Sequence, residues 1–156
     1  MKKIFLLMLF VSGLAFSQMP NIEKVWLNNS QPYHGTIGNQ KQEIKLKINV
    51  SEQNKKDDQE YFVAGYSLVD RNYTKFEGKM KITKYKNGKK KNIVFGEYDF
   101  AEEPKGQHSG TLKGKFTYTF KWNSKSEKIE SQHIEFIGDW SSYDHSLNYR
   151  TKFSSP

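Results

Sequence analysis

The chain has 156 residues, no cysteine, and 25 Lys and Arg against 17 Asp and Glu, a formal net charge of +8. With no thiol there is no disulfide framework and no N-terminal cysteine to carry a lipid anchor, so burial and sheet hydrogen bonds must supply the stability. Only Arg71 and Arg150 are arginine; lysine, a hydrated point charge, suits a solvated face or sheet edge better than the reading of phosphates and bases. The composition therefore argues against nucleic acid as a partner, and the basic balance reads as a solvated outer face or as a patch for an anionic glycan, a lipid headgroup or an acidic protein.

Lys2 and Lys3 precede an apolar run over 4–16, and Ala15, Phe16 and Ser17 form a small-x-small cleavage site. Residues 1–17 read as a signal peptide, cleaved after Ser17, which makes the protein exported and either periplasmic or secreted. The run is shorter than the roughly 18 apolar residues of a spanning helix, so no membrane span is expected. Cleavage leaves 139 residues, a single-domain length, with 23 basic against 17 acidic side chains, or +6. Residues 18–32 lack strand alternation and form a lead-in, in which Ile22, Val25, Trp26 and Leu27 suit one helical turn or an extended stretch. Trp26 is too large to leave in water and is expected to cap one end of the domain that follows, with an exposed anchor for a partner as the alternative.

From Tyr33 the pattern changes to alternation, clearest where Ile44, Leu46, Ile48 and Val50 are spaced by polar residues. Strands are expected at 33–38, 44–50, 61–70, 73–85, 92–100, 110–122, 129–140 and 147–153. The connections are short and polar, with a tight turn at 70–72 and a hairpin at Asn87 and Gly88, so sequential strands should pair antiparallel as a meander.

Six glycines, at 35, 65, 78, 96, 114 and 138, fall on the inward phase of these strands, between mostly bulky residues two positions away. A strand normally loses packing at an inward glycine, and one shared cause explains six: a sheet curled so tightly that glycine relieves crowding and aromatics lie across the gap. The predicted fold is all-β, an eight-stranded antiparallel up-and-down meander closed into a small barrel over 33–156. The glycines have no fixed spacing, which argues against a solenoid or propeller.

These short motifs, from Tyr33-His34-Gly35-Thr36-Ile37-Gly38 through Leu112-Lys113-Gly114-Lys115-Phe116 to Gly138-Asp139-Trp140, resemble small exported bacterial barrel domains of lipocalin-like or avidin-like architecture. The resemblance implies a barrel able to hold one small ligand in its mouth. Lipocalins carry Gly-x-Trp on the first strand, whereas here it lies on the seventh, and avidins line their cup with polar groups while this inward set is nearly all apolar. No functional residue of either family transfers by position.

Two surfaces are candidates. Inward Tyr98, Phe116, Tyr118, Phe120, Trp140 and Tyr149 either fill the interior or line a cavity for a small apolar or amphipathic ligand. Lys84, Lys86, Lys89, Lys90 and Lys91 crowd one hairpin end, either solvated or docked on an acidic protein or anionic glycan. The four histidines share no metal-like spacing, Asp144 and His145 suit turn chemistry as well as a site, and Glu97 and Asp99 fall on an outward phase. Cofactors and catalytic residues are not expected. The sequence reads as a monomeric, non-enzymatic binding protein; the alternatives are an inhibitor or immunity-type protein, an enzyme with carboxylate or histidine chemistry at a loop end, and an envelope component.

Overall fold

The computed structural model describes residues 21–156, so the expected signal peptide lies outside the described residues. Eight strands follow one another: β1 (Tyr33–Ile37), β2 (Gln42–Gln53), β3 (Glu60–Val69), β4 (Asn72–Asn87), β5 (Asn92–Glu102), β6 (Gly110–Asn123), β7 (Lys128–Ser142) and β8 (Asn148–Ser154). Each pairs antiparallel with its neighbour, and β1 pairs with β8 through Gly35 opposite Phe153, closing an eight-stranded up-and-down barrel.

Curvature explains the glycines. At Gly96 a Cβ would lie 2.2 Å from Phe116 Cζ, and at Gly138 it would lie 2.6 Å from the Tyr98 hydroxyl. The rings of Phe116 and Tyr98 occupy the space that these side chains would need. Phe136 sits among them, its ring centroid 5.0 Å from Tyr33, 5.3 Å from Tyr98 and 4.8 Å from Phe153. The middle of the barrel is thus packed solid, the usual state of a small barrel.

Before the barrel come α1 (Glu23–Trp26) and a 3-10 turn at Asn28–Ser30. Trp26 is fully buried and meets Phe116, Tyr61 and Tyr118 edge-on at 5.1, 5.7 and 5.9 Å. The Tyr33 hydroxyl donates to the Trp26 carbonyl at 2.8 Å, and the Ile22 amide donates to the Tyr61 hydroxyl at 3.1 Å. The lead-in is therefore a plug that shares the barrel's core.

One inward expectation fails. The register of β2 against β3 slips between Ile48 and Val50, a bulge that turns Val50 outward, where it is 48% exposed.

Candidate functional site

The end opposite the plug is open. There the strands are joined by the loops at 38–41, 70–71, 103–109 and 143–147, and they surround a cavity of about 580 Å³. Ile37, Ile44 and Val69 give it an apolar side; Ser67, Thr74, Gln42 and Asn72 give it a polar one. Trp140 and Tyr149 form an aromatic wall, opposite one another across β7 and β8, their rings 5.7 Å apart and inclined by only 14°. Tyr149 stays on the inward phase yet is 40% exposed, because it stands at the rim of an open mouth.

The most unusual side chain in this cavity is Glu102, 5% exposed. Its Oε1 accepts the Ser67 hydroxyl at 2.6 Å; its Oε2 accepts the Trp140 Nε1–H at 2.8 Å and the Gly110 amide at 3.0 Å. One carboxylate on β5 thereby joins β3, β6 and β7 across the lumen. Its main chain is tied as well, since the Tyr143 hydroxyl donates to the Glu102 carbonyl; the Tyr143 amide in turn holds the 103–109 loop by donating to Ser109 O at 3.2 Å. The lumen of this mouth is polar, which corrects the expectation of a nearly all-apolar inward set.

Of the six aromatics expected to face a ligand, Trp140 and Tyr149 meet in this cavity. The other four lie elsewhere. Tyr98 and Phe116 are in the packed middle; Tyr118 and Phe120 stack at 5.0 Å towards the plugged end, where Tyr118 also touches Trp26. Burial pushes the hydroxyls of Tyr98 and Tyr118 up to about 12. Tyr98 faces Thr151, while Tyr118 donates to Gln132 at 3.0 Å. Filling wins in the interior because the inward rings are large and the glycines opposite them admit those rings.

Glu102, Ser67, Thr74 and His108 were missed, although a signal existed for three. Val94, Gly96, Tyr98 and Phe100 run inward at period two, and the next step is Glu102; Ser67 follows Val63 and Gly65, and Thr74 precedes Phe76 in the same way. Ending the fifth strand at residue 100 treated Glu102 and Glu103 as the start of a polar loop. His108 lies in a loop whose position no alternation could reveal.

The lysine cluster lies at the other end. β4 and β5 run past the plug to their last pair, Asn87 with Asn92, and none of Lys84, Lys86, Lys89, Lys90 and Lys91 forms an ion pair among the described residues. Tyr85, Trp122 and Ile129, on these overhanging hairpins, are 49, 50 and 41% exposed. Glu97 and Asp99 are exposed, and Asp99 meets Lys113 at 3.1 Å. Asp144 accepts the Ser146 hydroxyl and amide and the Ser142 hydroxyl, at 2.7, 2.9 and 2.7 Å, which pulls its carboxyl down to about 2. That is the chemistry of a tight turn.

Comparison of the chain with protein-family models, with curated proteins and with solved structures gives no match.

Proposed function

We propose that this is an exported, non-enzymatic binding protein that holds one small amphipathic ligand in its open mouth. The observation that carries this reading is the contrast within one lumen: a packed middle and a plugged end, against a cavity at the other end that pairs an indole–phenol wall with a buried carboxylate. Ligand sites combine apolar walls with a few convergent polar groups in this way, and a barrel mouth is a usual place for them. A ring or chain would lie against Trp140 and Tyr149, with its polar end among Glu102, Thr74 and Gln42. Native mass spectrometry of protein purified from its own host tests this. A stoichiometric small molecule that Tyr149→Ala loses is the expected result; wild-type protein without a bound molecule would count against the reading.

A second reading belongs to the plugged end. Five lysines that form no ion pair among the described residues, beside exposed Tyr85 and Trp122, suit an acidic groove or an anionic glycan, with affinity that falls as salt rises. An inhibitor or immunity-type protein would use such a hairpin on an enzyme outside the cytoplasm. Changing Lys89, Lys90 and Lys91 to Glu should abolish a salt-sensitive pull-down of one stoichiometric partner, and unaltered capture would dismiss the hairpin.

A further inference from the structure

The charge of the mouth limits what it takes, an inference that rests on reading this end as a ligand site. Among the described residues no Lys or Arg lines the cavity, whereas the acids Asp70 and Glu102 do, with His108 as the one histidine of the lining. Lys41, Arg71 and Lys105, in the surrounding loops, are exposed and lie outside the lining, and Lys105 is paired with Glu103 at 3.6 Å. Asp70 accepts from the Gln42 amide, a neutral donor. Glu102 also has only neutral donors, namely a hydroxyl, an amide and an indole N–H, and forms no ion pair among the described residues.

Three neutral donors satisfy the hydrogen bonding of a carboxylate without cancelling its charge. With about four acceptor directions on the two oxygens, one remains for a donor arriving through the mouth. Removing a carboxylate from water is unfavourable unless a counter-charge accompanies it, and a cation entering the cavity would bring one. The adjacent indole and phenol faces attract cations for a separate reason, their quadrupoles. An anion would meet the same groups with the opposite sign.

We propose that the mouth selects organic cations: a protonated or quaternary amine directed at Glu102, its ring or chain laid on Trp140 and Tyr149. Tryptamine, tryptophol and indole-3-acetate share one ring and differ in head charge, so they separate charge selection from ring binding. Calorimetric titration of wild type should give tryptamine an affinity at least about 10-fold above that of indole-3-acetate, a difference of about 1.4 kcal/mol. Glu102→Gln should bring tryptamine down to the level of tryptophol. This variant keeps its fold, because the Gln carbonyl still accepts from Gly110 and Trp140 while its amide donates to the Ser67 hydroxyl; a melting curve checks this. Asp70→Asn, which suits the positive φ of 52° at that position, gives an independent and smaller loss of the same preference.

Equal affinities, a tighter anion, or a tryptamine preference that survives Glu102→Gln would overturn cation selection and leave the mouth as a ligand site. If none of the three probes binds, cation selection also fails, and native mass spectrometry then decides separately whether the mouth holds a ligand.

Discussion

The two ends of this barrel are built from the same eight strands and differ in the bulk of what points inward. At the plugged end Tyr61 and Tyr118, with Phe116 reaching up from the middle, meet Trp26, and no lumen remains. At the open end the equivalent inward positions are Ser67, Thr74 and Glu102, and about 580 Å³ is left over. Side-chain volume at period-two positions therefore decides which end is a core and which is a cavity. Charge divides the same way: Asp70 and Glu102 line the mouth with no lysine or arginine among the described residues, while five lysines crowd the hairpin beyond the plug.

The largest effect should come from removing the plug. Trp26→Ala deletes a fully buried indole that three aromatic rings contact, and large-to-small changes of this kind lose about 3–5 kcal/mol. Urea unfolding should show that loss as a lower midpoint. A loss below about 1 kcal/mol, the range of ordinary surface substitutions, would mean that the plug is not part of the core.

The open end is held by polar contacts instead, and its variants should separate by chemistry. Glu102→Ala strands the Gly110 amide, the Trp140 indole N–H and the Ser67 hydroxyl, and a buried polar group left without its partner loses about 1–3 kcal/mol. Glu102→Gln retains an acceptor for both N–H groups and should lose less than Glu102→Ala in the same urea titration. Equal losses would show that the charge of Glu102, rather than its hydrogen bonds, ties the strands together.

The legibility of the sequence follows the same division. Alternation and inward glycine are properties of the strands themselves, so strand number, order and closure are legible in the sequence. Val50 was misplaced because a bulge resets the phase without a residue that announces it. Glu102 was missed because a charged residue next to Glu103 and Pro104 looks like a loop, and only the strand's continuation turns it inward. Which end stays open depends on volumes summed across several strands, a quantity that no single segment carries.

The smallest expected effect concerns the rim, and it sharpens the contrast between the ends through salt. Hydrogen bonds from the Ser146 hydroxyl, the Ser146 amide and the Ser142 hydroxyl hold Asp144 at about 2, below its ordinary 3.8. A carboxyl lowered in the folded state stabilises above its unfolded value, so this turn should be fully supported above about pH 4 and lose that support as pH falls through about 2. Asp57 and Glu130 are lowered too, but first by hydrogen bonds from the charged Lys81 and Lys121 in exposed pairs. Added salt screens exposed charges and leaves bonds from neutral donors largely intact. Carboxyl carbon shifts followed by NMR from pH 5 to 1.5 should therefore show Asp57 and Glu130 titrating at higher pH in 0.5 M salt than in low salt, while Asp144 keeps its low midpoint. An Asp144 midpoint near 3.8, or one that moves with salt as the other two do, would remove the serine hydrogen bonds as the cause and leave the rim organised by charge.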